Sequence, residues 1–118
     1  MSKILFQGLV FFIFCLTSTL SVAAEEGIAS YYSDVFQGKK TASGEPYDKD
    51  KLTAAHKTLA FGTKVKITDL KNNKSVIVTI TDRGPHSKKR MVDLSYAAAE
   101  EIGLVKAGLS KVRLEVIE

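Results

Sequence analysis

The chain has 118 residues, of which 45% are hydrophobic and 25% charged, and its formal net charge is +4 at pH 7. This mild positive balance is compatible with an anionic polymer as partner, and it lacks the clustered basic stripe of a nucleic-acid-binding protein. The one basic triplet, residues 88–90, is typical of a solvated loop.

Residues 1–24 are predicted to be a secretory signal peptide. Lys3 is the only charge before Glu25, an apolar run follows it, and small residues precede the acidic pair at 25–26. This order is typical of such peptides, and cleavage after Ala24 is favoured over cleavage after Ala23. The alternative is a retained anchor, since the uncharged run over residues 4–24 is long enough to span a bilayer. Its hydroxyl-rich second half, with no basic residues after it, favours the cleaved peptide.

The cysteine content indicates export without disulfides. Cys15 is the only cysteine, and the bulky Phe14 before it argues against lipid attachment. The mature chain, residues 25–118, is then one cysteine-free domain. We expect a monomer in the periplasm or cell envelope of a bacterium, not lipid-anchored, that meets the membrane only through the transient signal peptide.

Short strands separated by turns dominate the mature sequence. Aromatic alternation predicts a strand over residues 27–33, and strict alternation predicts strands 63–70 and 75–82 around a hairpin turn at 71–74. Further strands are expected at 91–94 and 111–117. Ser95 can cap a helix that ends at Gly103. The pattern favours a small, mainly β barrel or sandwich with one short helix near the C-terminus.

Two loops interrupt these strands. The segment 34–62 is rich in turn residues and holds at most a short helix, and the segment 83–90 is fixed by a Gly-Pro pair. Loops this long in a small domain are usually functional, and a rigid barrel commonly holds its site on loops. The candidate site residues lie at loop and strand ends: Glu45, His56, Asp82, Arg83 and Asp93.

Each candidate also has a structural interpretation. Glu45 can be a surface turn residue, His56 a satisfied core residue and Asp82 the cap of its own turn. Asp93 lies between apolar residues, so its carboxylate needs a partner, for which Arg83 and Arg90 are candidates.

Paired carboxylates across a groove are the usual means of breaking a glycosidic bond. Two histidines and no mature cysteine predict no metal site, and no other cofactor is expected. A set of Ser43, His56 and Asp82 lacks the Gly-x-Ser-x-Gly elbow, and no phosphate-binding glycine loop is present. The residues alone therefore indicate an exported small β domain with an acid and histidine cluster.

Six ordered motifs resemble the rare lipoprotein A family, the septal-ring lytic transglycosylases. They are GIASYYS, TASGEPYD, LTAAHKTLAFGTKVKITDL, VIVTITDRGP, MVDLSYAAAEEIGL and VRLEVIE, spread over residues 27–118. The resemblance implies a six-stranded double-psi β-barrel. It also implies non-hydrolytic cleavage of the β-1,4 bond after N-acetylmuramic acid in peptidoglycan glycan strands, with 1,6-anhydro ends as products.

The family's functional set falls on Glu45, His56 and Asp82. The resemblance implies that Asp82 or Glu45 is the acid and base, and that His56 lies beside Glu45 and orients it. It also implies that Asp93 stabilises positive charge at C1 of the sugar, with Arg83 in support. Tyr31 and Tyr32 are candidates either for stacking on sugar rings or for barrel packing.

The sequence departs from the family pattern at a few points. Tyr31 stands where the family usually has Trp, and Ala60 replaces a common Pro. Many members also carry a lipid anchor and a separate domain for denuded glycan, neither of which we expect here, so septal targeting is not implied. Two other functions stay open, a non-catalytic, expansin-like peptidoglycan-binding module and a secreted interaction protein.

Overall fold

The computed structural model describes residues 24–117, so residues 1–23 of the predicted signal peptide and the terminal Glu118 lie outside it. The described residues form six strands and two short α-helices. The strands are β1 (Ala24–Tyr31), β2 (Thr53–His56), β3 (Lys64–Asp69), β4 (Ser75–Asp82), β5 (Val92–Leu94) and β6 (Ser110–Val116). The helices are α1 (Tyr96–Glu101) and α2 (Leu104–Ala107), and a 3-10 turn covers Asp34–Phe36. Within residues 24–117, neither helix is long and apolar enough to cross a bilayer.

The six strands close into a barrel in the order β1-β5-β2-β4-β3-β6. The pairs β1·β5 and β2·β4 are parallel, and the other four are antiparallel. The predicted hairpin of β3 and β4 is confirmed, and its turn places Asn73 at φ 63°. The choice between barrel and sandwich, which the strand pattern leaves open, is settled as a barrel.

Alternating residues of the strands fill the barrel with apolar side chains. The largest fully buried ones on the strands are Ile67, Ile80, Leu94 and Leu114, and Ile102 and Leu104 of the helical segment are buried with them. Burying such a side chain stabilises the fold by about 1.5–3 kcal/mol. The barrel wall is therefore a rigid support for the loops around it.

The helical segment begins as the sequence predicts but divides in two. Ser95 is the N-cap of α1, and its Oγ accepts a hydrogen bond from the N–H of Ala98 at 3.3 Å. Gly103 takes a left-handed conformation, with φ 75°, and ends the first helix. The chain then continues into α2 because Leu104 is buried against the core. The expectation of one helix is corrected to two short helices.

The predicted loop 34–62 contains the strand β2. Its residues Ala54, Ala55 and His56 are all buried, so the strand shows no alternation of apolar and polar residues. Apolar and polar residues alternate only in strands that have one solvent-exposed face, and both faces of β2 are covered by the rest of the protein. This short strand lies between β4 and β5 and is the floor of the site described next.

Candidate active site

Asp82 and Asp93 lie on opposite sides of Ala55. Ala55 is the register partner of Asp82 in the parallel pair β2·β4 and of Asp93 in the antiparallel pair β2·β5. Adjacent strands are about 4.8 Å apart, so the two aspartate Cα atoms are separated by roughly 10 Å. The barrel thus presents two carboxylates across the width of one strand.

A register shift turns Asp82 out of the core. The alternating residues of β4 up to Ile80 are buried in the barrel, and continued alternation would send Asp82 there as well. Ala54 pairs with Ile80 but Ala55 pairs with Asp82, so Thr81 is an extra residue in β4. Bulges of this kind re-aim side chains beside functional sites.

Three donors hold the Asp82 carboxylate. Its Oδ1 accepts hydrogen bonds from the backbone N–H groups of Ala42 at 2.8 Å and Arg83 at 2.9 Å. Its Oδ2 accepts a short hydrogen bond from the Tyr32 hydroxyl. Every one of these bonds is donated to the carboxylate, so its oxygens are oriented as acceptors.

Tyr32 is built into an aromatic stack beside Asp82. Its ring stacks on Tyr47 with centroids 4.4 Å apart and an interplanar angle of 10°, and it meets Phe36 edge-on at 5.8 Å. Burial, together with the hydrogen bond to Asp82, raises the pKa of Tyr32 far above its ordinary value. The phenol therefore stays protonated and remains a donor to Asp82 at physiological pH.

The loop 41–45 supplies one of these donors through a fixed turn. The N–H of Thr41 donates to the carbonyl of Glu45 at 2.8 Å, and its hydroxyl donates to the same carbonyl at 2.7 Å. Gly44 has φ +99°, a conformation that L side chains rarely adopt. This turn aims the N–H of Ala42 at Asp82 and places Glu45 at its end.

Asp93 is held by a serine and an arginine. Its Oδ1 accepts hydrogen bonds from Ser30 Oγ and from Arg90 Nη1, both at 2.5 Å. The guanidinium of Arg90 also contacts Ser30 Oγ. The partner that the sequence requires for Asp93 is thus Arg90, and Arg83 is engaged elsewhere.

Arg83 joins the end of β2 to an aromatic side chain. Its Nη1 donates to the carbonyl of His56 at 3.1 Å, and its guanidinium carbon lies 4.2 Å from the centroid of the Phe61 ring. The side chain is half-buried and lines the same cleft as Asp82. It can therefore act as a supporting group at this site.

These groups surround a cleft of about 490 Å³. The aspartates line it together with Tyr31, Tyr32 and four cationic side chains, which are Lys39, Lys40, Arg83 and Arg90. Cations thus outnumber carboxylates, as suits a polar or anionic polymer. No group of three or more histidine, cysteine or acidic residues in the part of the chain described has the geometry of a metal site.

The two tyrosines differ in how free they are. The Tyr31 hydroxyl donates to the carbonyl of Val105 at 3.1 Å, and its ring packs against the core and edge-on against Tyr96. One face of Tyr32 is covered by Tyr47. Both tyrosines also line the cleft, so each can pack within the protein and still contact a bound ligand.

Glu45 is not one of the residues that line this cleft. It is exposed, and it lines one neighbouring depression with Phe61 and another with Tyr47. Among the residues described, its carboxylate accepts no hydrogen bond. The carboxylate is therefore not fixed in the way that Asp82 is.

The resemblance implies that His56 lies beside Glu45, but the structure places the two residues in different depressions. His56 is buried on the opposite face of β2 from Ala55 and lines a different depression with Glu25. Its Nδ1 accepts hydrogen bonds from the N–H groups of Thr58 and Leu59, each at 3.1 Å, and Nε2 lies 2.9 Å from Glu25 Oε1. Successive side chains of a strand point to opposite faces, so His56 points away from the face that carries Ala55. The sequence does not show this, because the residues of β2 do not alternate between apolar and polar.

Sequence reasoning missed two groups of the site. Ser30 and the N–H of Ala42 carry no motif of their own, because serine and backbone amides are common everywhere. Arg90 is one of the two arginines that the sequence offers as a partner for Asp93, and the structure selects it.

The chain is similar in sequence to known proteins over most of its described residues. The family described as lytic transglycolase matches residues 24–114. A relative from Haemophilus influenzae, named endolytic peptidoglycan transglycosylase RlpA, is 54% identical over 93 residues. That match covers 79% of this chain and 32% of the relative, so the chain spans about a third of the length of the curated relative.

Solved structures share the barrel at lower identity. The Streptomyces papain inhibitor superposes with a TM-score of 0.67 at 20% identity, covering 81% of this chain and 96% of the inhibitor. An expansin from Clavibacter michiganensis superposes with a TM-score of 0.65 at 23% identity, covering 81% of this chain and 51% of the expansin. These likenesses establish the fold alone. From the family match and the RlpA relative, the chain belongs to the lytic transglycolase family, with a double-psi β-barrel fold.

Proposed function

We propose that the chain is an endolytic peptidoglycan lytic transglycosylase that cuts glycan strands and leaves 1,6-anhydro-N-acetylmuramic acid ends. The observation that carries the proposal is the pair of carboxylates, Asp82 and Asp93, presented across Ala55 in one cleft. The relative that is 54% identical over 93 residues bears this activity in its name and supplies the substrate class.

The reaction exchanges one bond to the sugar carbon C1 for another without water. The glycosidic bond between C1 of N-acetylmuramic acid and O4 of the next sugar breaks, and an acid gives a proton to that O4. The C6 hydroxyl of the same N-acetylmuramic acid bonds to C1 and gives its proton to a base. The two proton transfers balance, and positive charge develops at C1 between them.

Asp82 suits the base in this scheme. The three hydrogen bonds donated to its carboxylate fix the group in place and leave about one of its four lone-pair sites to receive a proton. Asp93, oriented by Ser30 and Arg90 on the other side of Ala55, suits the stabilisation of positive charge at C1. The positions of these two groups on opposite sides of a rigid strand support the placement of a sugar ring between them.

Glu45 suits the acid. It is the family-matched carboxylate whose oxygens accept no hydrogen bond among the residues described, at the end of a turn that also contacts Asp82. Such a group can meet the leaving oxygen of a bound strand, because catalytic contacts often form only in the substrate complex. His56 acts in this scheme through the carbonyl that accepts from Arg83, not through contact with the sugar.

We place the protein in the bacterial cell envelope, where its substrate lies. The basic start, apolar centre and small-residue end of residues 1–24 support export and removal of this segment. We also propose that it acts as a monomer, because residues of one chain supply both aspartates and the groups that orient them.

A digest tests the proposal. Residues 25–118 are incubated with intact sacculi and with glycan strands stripped of stem peptides, and the soluble products are identified by mass spectrometry. We expect anhydro-muramyl ends with the wild-type domain and none with Asp82→Asn. Asp50→Asn, the same change at an exposed residue outside the cleft, serves as the matched control and should cut normally.

Three other outcomes would reject the proposal, each in a different way. Reducing ends would make the protein a hydrolase. Sedimentation with sacculi without any product would make it a glycan-binding module. Neither binding nor cleavage would point to an interaction protein.

A further inference from the structure

The loop 84–90 forms one wall of the cleft. Gly84, Pro85, His86 and Arg90 line it, and the loop contains no helix or strand. Its last residue, Arg90, donates to Asp93. The position of this loop therefore determines where the guanidinium that orients Asp93 lies.

The Lys57 side chain ties this loop to the barrel. Its Nζ donates to the carbonyl of Ser87 at 3.0 Å and to the carbonyl of Arg90 at 3.1 Å. Over residues 24–117, no other residue outside the loop hydrogen-bonds the backbone of residues 84–90. Lys57 follows β2 directly, so the strand that separates the two aspartates also carries the tie.

We propose that Lys57 is a positioning residue, whose ammonium fixes the loop 84–90 and thereby the Arg90–Asp93 pair. An ammonium offers three donors and no acceptor, and bonds from charged donors are about twice as strong as neutral ones. Two such bonds to carbonyls restrain an otherwise irregular segment. Without them Arg90 can shift, and Asp93 loses its fixed orientation.

Kinetics on glycan strands test the effect on the reaction. For this readout the inference rests on the proposed function. Lys57→Met is expected to lower kcat roughly tenfold with little change in KM, because small misplacements of catalytic groups are costly. Lys57→Arg, which can still donate to both carbonyls, should restore most of the rate. Lys74→Met removes the same charge from an exposed lysine in the β3–β4 turn, away from the cleft, whose side chain makes no hydrogen bond among the residues described, and it should behave as wild type.

A measurement without substrate tests the effect on the loop. In ¹⁵N-labelled protein, Lys57→Met should lower the backbone order parameters of residues 86–90 from about 0.85 toward 0.6, with Lys57→Arg and Lys74→Met unchanged. This readout holds whether or not the protein cuts glycan.

The outcomes separate the two proposals. No product from wild-type protein would reject the proposed function, and the order parameters would still decide on Lys57. Unchanged order parameters in Lys57→Met would overturn the positioning role, and so would a kcat equal to wild type. If Lys57→Arg is as impaired as Lys57→Met, the tie between Lys57 and the loop is not what matters, and the proposal fails as well.

Discussion

Ala55 and His56 are neighbours on one strand, yet they belong to different parts of the molecule. The Ala55 face of β2 carries the cleft, with an aspartate on each side. On the His56 face, every polar atom of the imidazole is used by the fold, through Thr58, Leu59 and Glu25. Proximity in a motif therefore does not mean proximity at a site, because a strand sends successive side chains to opposite faces.

We expect substitutions on the two faces of β2 to have different effects. Changes on the Ala55 face should lower the rate and leave the fold intact. Changes on the His56 face should lower the free energy of unfolding and leave the rate of the folded protein largely intact.

Asp82→Asn should give the largest effect. The amide keeps the size of the side chain but cannot serve as a base, so we expect the rate of anhydro product formation to fall on the order of 10³-fold. Thermal unfolding monitored by circular dichroism should stay near that of the wild-type protein. A folded variant that still cuts at more than a tenth of the wild-type rate would remove Asp82 from the mechanism.

His56→Ala should act on stability. It leaves the N–H groups of Thr58 and Leu59 without their acceptor and opens a void in a buried position, at a cost of about 2 kcal/mol. For a domain of this size that is a fall in Tm of roughly 8–16 °C. Below its Tm, the folded variant should keep kcat within a few fold of wild type.

His56→Asn is the matched variant on this face. Its amide oxygen can take the place of Nδ1 as acceptor, so part of the lost stability should return. A large loss of kcat in His56→Asn with an unchanged Tm would show that His56 has a role in the chemistry.

Tyr32→Phe should give a moderate loss of rate. The ring stack with Tyr47 is preserved, but Asp82 loses the hydroxyl that donates to Oδ2. A hydrogen bond to a charged group is worth enough to lower kcat about tenfold. An unchanged rate would show that the backbone donors alone orient Asp82.

The smallest effect is on alkaline stability. Burial and the bond to Asp82 raise the pKa of Tyr32 above its ordinary value of 10.0, so the folded state favours the protonated phenol. The stabilisation is complete below pH 10 and is lost as pH rises above that value, because the unfolded chain then releases the proton first. The Tm of wild type should therefore fall more steeply above pH 10 than that of Tyr32→Phe. Parallel Tm curves for the two proteins would contradict the assignment.

Much of the barrel can be predicted from the sequence where one face of a strand is solvated. The hairpin at residues 63–82, the closing strand and the cap at Ser95 follow from alternation and from cap chemistry. The strand β2 cannot be predicted this way, because cover on both faces removes the alternation. The second helix escapes prediction because Gly103 looks like a terminus.

The site can be predicted in composition but not in arrangement. The aspartates stand out as polar residues at strand ends, yet the outward turn of Asp82 depends on a bulge at Thr81 that appears only in the pairing with β2. The location of His56 depends on which face of β2 it occupies, and four residues without alternation do not reveal that face. Motifs thus identify the participants, and the register decides which of them meet.

The most direct test of the two-face account is a titration of Asp82→Asn, which should bind glycan without cutting it. Glycan strands free of stem peptides are added to ¹⁵N-labelled protein while backbone amides and histidine ring nitrogens are observed. We predict shifts at Ala55, Gly84 and Asp93, with the His56 imidazole unperturbed and carrying its proton on Nε2. Ring-nitrogen shifts at His56 that follow the same binding curve would place the imidazole in contact with the sugar and contradict the account.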